Sequence, residues 1–291
     1  MLFSTQTEKL VANFGLYEGV KMLMDAGFPA LDFTMYHLGD YFYAEDWKET
    51  AKKLRSMADE RGVIFNQVHA PFGGGITYYT EKLVPLMPRV FEFASILGAK
   101  QAIVHPLQDG RYYGNEKRLF DMNMEFYASF VPIAKNTGVK VAIENMWQTH
   151  PITGHIVDDV CADPKELALY YDTLNDPDHF TICLDLGHVA LCNREPQDAI
   201  RFLGHDRLGA LHVHDVTYRD DTHTLPGVGK IWWDAVTQAL ADIDYTGEFT
   251  LEADEFFNGF ALEMRPRASV FMADQARFLA AQVDAKRGVK A

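Results

Sequence analysis

The chain has 291 residues, 48% of them hydrophobic and 23% charged, with a formal net charge of −14. That length suits one α/β barrel with decorated loops, and the composition allows a large buried core. The acidic balance disfavours nucleic acid and acidic membranes as partners, and no Lys/Arg-rich run offsets it. No stretch approaches the roughly 20 apolar residues of a transmembrane helix. The start, MLFSTQTEKL, lacks the basic opening and apolar run of a secretory signal. Cys161, Cys183 and Cys192 show no CxxC spacing and read as reduced thiols, so a cytoplasmic location is expected.

In chain order, a first strand is predicted over 2–5. Helical stretches then stop at Gly27, Gly62, Gly98 and Gly138, each followed at once by a strand-like run: DAGFPALDF, ERGVIFNQVH, ILGAKQAIVH and NTGVKVAIEN. Glycine is favoured just past a helix because it takes the left-handed conformation without a Cβ penalty. The period, about 35 to 40 residues, is that of one βα unit. These runs place strands at 30–36, 64–70, 101–106 and 140–146. FTICLDLGH, LGALHVHDV and EFTLEAD supply three more, at 180–186, 208–215 and 249–254. Asp163-Pro164-Lys165-Glu166 opens a helix with an N-cap Asp and a Pro at the first position. Trp232-Trp233 opens another, with one indole expected on the sheet and the other over the site. The last helix is expected from Met264 to Ala285. No Ser/Gly-rich linker interrupts the pattern, so residues 1–291 read as one domain, a single (β/α)₈ TIM barrel of the α/β class. A doubly wound open sheet would share the alternation and is the alternative.

Residues two apart share a face of a strand. Val141 and Ile143 therefore oppose Ala142 and Glu144, and Cys183 shares a face with Asp185. His212 and His214 oppose Leu211 and Val213, and Glu252 and Asp254 oppose Leu251. Polar residues late in each strand, facing the barrel axis, form the active-site arrangement of this fold. His69 and His105 end the third and fourth strands in the same way. One late-strand His is more often a hydrogen-bonding residue than a ligand. Three acids and an imidazole converging from four strands, with no cationic partner nearby in sequence, call for a cation between them. Glu144, Asp185, His212 and Glu252 are the candidate metal ligands, a mixed set suited to Mn²⁺, Zn²⁺, Mg²⁺ or Co²⁺. Cys183 is expected to pack inside the barrel, with Cys161 and Cys192 in loops. Tyr78, Tyr79, Tyr112 and Tyr113 are candidates for the mouth or for plain loop surface.

The motifs VHAP (His69), VHP (His105), AIEN (Glu144), LDLGH (Asp185, His188), LHVHD (His212), DTHTLPGVG (Asp221, His223) and TLEAD (Glu252) run in order along most of the chain. Together they resemble the xylose isomerase-like barrels, a superfamily of sugar phosphate isomerases and epimerases that also includes the family 2 AP endonucleases. Resemblance to its sugar epimerases implies one metal at Glu144, Asp185, His212 and Glu252, with His188 and Arg219 contacting substrate. Resemblance to its endonuclease IV branch implies further metal ligands at His69, His105, His188, Asp221 and His223, in a three-zinc site. The reading is thus a metal-dependent sugar or keto-polyol isomerase or epimerase of carbohydrate metabolism. Glu144 and Glu252 would be its catalytic bases, working through an enediolate. His188, Arg219, Trp147 and His69 are the candidate substrate-binding residues. The alternatives are a multi-zinc phosphodiesterase, which the charge opposes, and a catalytically silent sugar-binding barrel. A small polar carbohydrate-like partner is expected, with neither membrane nor nucleic acid; homo-oligomerisation stays open.

Overall fold

Eight apolar runs become the parallel strands of a barrel. In the computed structural model, which describes residues 1–36 and 38–287, the first five strands are β1 (Phe3–Gln6), β2 (Ala30–Thr34), β3 (Ile64–His69), β4 (Gln101–Val104) and β5 (Lys140–Glu144). A short antiparallel ribbon, β6 (Trp147–Thr149) with β7 (Ile156–Asp158), follows. The barrel resumes with β8 (Phe180–Asp185), β9 (Leu208–His212) and β10 (Phe249–Leu251). The sheet order is β10-β1-β2-β3-β4-β5-β8-β9, and a parallel bridge from Val213 to Leu251 brings the two outer strands together. That bridge favours the barrel over the open sheet.

Helices lie between successive strands, and the predicted stops work as expected. Gly98 and Gly138 follow the helices Met87–Leu97 and Val131–Thr137 with φ of 82° and 71°. At Gly98 the left-handed backbone is what demands glycine, since the nearest atom to a Cβ is the mobile end of the Arg55 side chain. The outward strand residues Val141, Ile143, Ile182, Leu184 and Leu211 are fully buried under the helices. Phe93, from the helix layer, stacks on Phe33 of β2 at 5.4 Å. Full burial of each such side chain contributes about 1.5–3 kcal/mol.

On the axis, Ile103, Ala142, Cys183 and Ala210 form a small separate cluster. Adding two residues to each gives His105, Glu144, Asp185 and His212. The pleat therefore carries those four side chains inward, one layer above a plug of mostly small side chains.

The expected boundaries shift slightly. β4 ends at Val104 and β10 at Leu251, so His105 and Glu252 stand just past their strands. The final helix spans Arg265–Arg287. Asp163 caps the helix Pro164–Leu174, accepting from Lys165 N at 2.9 Å. Trp233 is buried and donates to Asp215 at 2.8 Å. Trp232 does not cover the site: it is 64% exposed and lines a surface cavity with Gln197 and Arg201. It stands at the N-terminal cap of the helix that starts at Trp233, and of the two indoles only Trp233 is buried. The three cysteines are free and buried. Among the described residues no helix is long and apolar enough to cross a membrane.

Candidate metal centre

Glu144, Asp185 and His212 are the last residues of β5, β8 and β9, and Glu252 follows β10. Each offers one ligand atom, and the four atoms lie within 4.8 Å of one another. His212 Nδ1 is 2.6 Å from Glu144 Oε1 and 2.9 Å from Glu252 Oε2. All four side chains are buried. Among the described residues, the ion-pair partners of the three carboxylates are imidazoles, with no lysine or arginine. Glu144 Oε2 and Glu252 Oε2 are buried and have no well-aligned hydrogen bond, each lying 2.9 Å from an imidazole nitrogen, His105 Nε2 and His212 Nδ1 respectively. Buried acids whose ion-pair partners are imidazoles alone, gathered around one imidazole nitrogen, fit a divalent cation.

Supporting side chains fix each candidate ligand. Asn145 ties β5 to β8, accepting from Asp185 N at 2.8 Å and donating to Asp185 O at 3.0 Å. Asp185 caps the helix Leu186–Leu191 by accepting from His188 N at 2.6 Å. His214 Nε2 lies 3.1 Å from both Asp185 oxygens. The His214 ring fills the space over Gly187, where a Cβ would come within 2.1 Å of His214 Cε1. Glu252 Oε1 accepts from Gln6 Nε2 at 2.7 Å and from the Tyr36 hydroxyl. Burial and the Glu252 charge hold that phenol well above its ordinary pKa, so it remains a donor. Behind His212, Nε2 stands 3.3 Å from Asp32 Oδ2, which also accepts from Gln67 at 2.9 Å.

Charge balance inside the site runs through imidazoles. Burial opposes ionisation of Glu144, but His212 and His105 outweigh it and hold the carboxyl well below the usual range. Burial likewise opposes the charge on Glu252, and His212 and His223 overcome it. His212 is held well above its ordinary value, because Glu252 and Glu144 outweigh the cost of burying its charge.

Two further donor sets flank the first. His69 and His105 converge on Glu144, with His105 Nε2 2.9 Å and His69 Nε2 3.6 Å from Glu144 Oε2. Burial lowers the His105 pKa against the pull of Glu144. On the other side, His188, His214, Asp221 and His223 form a second cluster. His223 Nε2 is 3.1 Å and His188 Nε2 3.8 Å from Asp221 Oδ2. His214 stacks on His223 at 4.0 Å. His214 Nδ1 and Asp221 Oδ1, both buried, have no hydrogen-bond partner. The loop carrying Asp221 and His223 is pinned by Asp215, whose carboxylate accepts from Ile231 N at 3.0 Å and Gly227 N at 2.8 Å.

The other candidates fall in several places. Trp147 donates to Asp221 at 3.2 Å and stands edge-on to His188, at the rim of the second cluster. Arg219 lines a separate cavity of about 680 Å³ with His155, Asn193 and Tyr218, and none of the four converging ligands borders it. A cavity of about 470 Å³ does reach the centre, bordered by Tyr36, Phe72, His223, Glu252 and Asp254. Tyr78, at the end of the short helix Gly75–Tyr78, and Tyr113 are exposed surface, while Tyr79 and Tyr112 are buried and donate to His105 O and Glu166. Sequence reasoning missed Gln6, Asp32, Tyr36 and Gln67. The alternation that exposed Glu144 also marks Asp32, which stands between Leu31 and Phe33 in β2.

The sequence model of the xylose isomerase-like TIM barrel matches residues 20–268. An uncharacterised protein of Methanocaldococcus jannaschii is 26% identical over 193 residues, covering 64% of this chain and 63% of that protein. The match thus spans just under two thirds of that relative's length. D-psicose 3-epimerase of Enterocloster bolteae is 38% identical over 74 residues, 25% of this chain and 23% of that enzyme. Among solved structures, a D-tagatose 3-epimerase-like protein superposes with a TM-score of 0.77 at 21% identity, covering 98% of this chain and 99% of that one. The IOLI protein, solved with a bound zinc atom, superposes with a TM-score of 0.73 at 16% identity, covering 99% of each chain. The protein belongs to the xylose isomerase-like TIM barrel family.

Proposed function

We propose that the protein is a divalent-metal-dependent isomerase or epimerase acting on a sugar or keto-polyol. One observation carries this reading: Glu144 and Glu252, both buried, approach the same nitrogen of His212, and each has one oxygen whose ion-pair partners are imidazoles alone. The resemblance to a D-tagatose 3-epimerase-like fold and the short match to a D-psicose 3-epimerase support the substrate class. Glu144, Asp185, His212 and Glu252 would hold the cation. A divalent ion there supplies a Lewis acid that acidifies the C–H beside a substrate carbonyl.

The chain's own groups do the rest. One of the two glutamates takes the proton from its face, and the other, after picking up a proton from solvent, delivers it to the opposite face, giving an epimer. Return to the adjacent carbon interconverts aldose and ketose. Gln6 and Tyr36 hold Glu252 in place by donating to one oxygen, leaving the other to face the site. His188 offers Nε2 to substrate, its Nδ1 lying 2.8 Å from Asn145 O. Trp147 and Phe72 supply apolar walls that orient the ring and exclude water. The cavity beside Glu252 is bordered by Glu8, Asp254 and Glu255 with Lys9, which favours an uncharged substrate over a phosphorylated one.

A second reading, a multi-zinc phosphodiesterase, draws on the two flanking donor sets. The net charge of −14 opposes the DNA backbone such an enzyme would grip. Protein stripped with chelator and reloaded with Mn²⁺, Co²⁺ or Zn²⁺ should convert at least one member of a panel of ketoses and keto-inositols. Incision of abasic-site duplex DNA, with the whole panel untouched, would replace this function by the second.

A further inference from the structure

We infer that Asp32 is a positioning residue for His212, holding the ring so that Nδ1 faces the metal ligands. This rests on the proposed metal centre. Asp32 is fully buried in β2, on a strand that contributes none of the four ligands. Its Oδ2 faces His212 Nε2 at 3.3 Å, while Nδ1 of the same ring faces Glu144 and Glu252. An imidazole can offer Nδ1 to a cation only as the tautomer that keeps its hydrogen on Nε2. That hydrogen lies in the interior, where an unpartnered N–H is costly, and Asp32 is the acceptor the fold provides. A carboxylate there also raises the basicity of the opposite ring nitrogen.

The local backbone is shaped for this contact. The β2–β3 register shifts between Leu31 and Asp32, which places Asp32 beside Gln67. Gln67 then donates to the same Oδ2 at 2.9 Å and fixes the carboxylate's rotation. Asp32 Oδ1 is buried and has no hydrogen-bond partner. A site required only for stability would gain from an apolar residue here, since an incompletely bonded buried carboxylate costs free energy. The carboxylate instead faces the Nε2 edge of the ring whose Nδ1 faces Glu144 and Glu252.

The test titrates Mn²⁺ into chelator-stripped wild type, Asp32→Asn, Asp32→Leu and Gln67→Met, with thermal unfolding of each metal-free form beside it. Asp32→Leu should bind Mn²⁺ about 10- to 100-fold more weakly while still unfolding cooperatively. Asp32→Asn keeps the shape and one acceptor oxygen and should fall between it and wild type. Gln67→Met should lose much less than either. In the Co²⁺-loaded protein, proton NMR should show a paramagnetically shifted, slowly exchanging His212 N–H that persists in Asp32→Asn and exchanges fast in Asp32→Leu. If Asp32→Leu does not fold, the Asn variant decides. Wild-type Mn²⁺ affinity in whichever variant decides, or an unchanged N–H resonance in Asp32→Leu, overturns the inference while leaving the metal centre standing. A wild type that binds neither ion overturns the metal centre and the inference together.

Discussion

His212 Nδ1 lies 2.6 Å from Glu144 Oε1, joining residues 68 apart in sequence at the mouth of the barrel. The contact places an imidazole nitrogen where Glu252 also points, at 2.9 Å, with Asp185 completing the set. Elemental analysis of dialysed protein should accordingly find at least one equivalent of a divalent metal. Asp185→Asn removes one ligand charge without changing shape, and should lose metal before it loses fold. Excess Mn²⁺ or Co²⁺ should restore part of its activity. Tight metal retention by Asp185→Asn would exclude Asp185 from the ligand set.

Gly187 offers a probe that touches no ligand. A Cβ at this position would meet His214 Cε1 at 2.1 Å, and His214 is the side chain that grips both oxygens of Asp185. Gly187→Ala should displace the ring and weaken metal binding by about tenfold or more. Gly259→Ala is the matched control: as at Gly187 the backbone is not left-handed, but a Cβ there meets nothing within 4 Å. Equal losses of metal in the two variants would deny His214 a supporting role.

The second cluster can be counted separately. His223 and Asp221 lie 3.1 Å apart, and His214 Nδ1 and Asp221 Oδ1 are unpartnered. His223→Ala should leave the first equivalent of metal in place. Any stoichiometry above one that draws on this cluster should fall in the variant. Loss of all metal from His223→Ala would mean that the two clusters are not independent.

Away from the centre, burial raises the Glu166 carboxyl to about 7, despite bonds from Cys161 N and the Tyr112 hydroxyl. An acid whose folded pKa exceeds its unfolded value stabilises the fold fully below the unfolded pKa, here 4.5. That contribution, at most about 3 kcal/mol, is lost as pH rises through 4.5 toward 7. Melting temperature should therefore decline across this window in wild type and decline less in Glu166→Gln. Parallel curves for the two proteins would show that the group does not titrate abnormally.

Much of this architecture was legible before any coordinates. Glycine stops and apolar runs located all eight barrel strands, because a closed parallel sheet needs near-continuous burial in each strand. The alternation of Ala142 with Glu144, and of Cys183 with Asp185, gave the inward faces. What stayed hidden depends on distant pairing. Asp32 meets a histidine 180 residues away, and Gln6 meets a glutamate 246 residues away. No local pattern encodes such contacts. Trp232 misled because a WW pair fixes a helix start without fixing which indole turns inward. Arg219 rested on the family resemblance with only approximate spacing, and it lines a cavity that none of the four candidate metal ligands borders.

The central claim is that Glu144 and Glu252 move a substrate proton. Replacing either by Gln keeps shape and one acceptor oxygen but removes the base. Turnover should fall by about 10² to 10⁴-fold in each variant, while cooperative melting and some metal are retained. The most direct measurement follows solvent deuterium into the substrate carbon, using metal-loaded protein and whichever ketose or keto-polyol the wild type converts. The account predicts deuterium in the wild-type product, no deuterated product from Glu144→Gln or Glu252→Gln, and exchange into the starting substrate in at most the one variant that keeps the abstracting glutamate. Full exchange by both variants would contradict it and place the base elsewhere in the site.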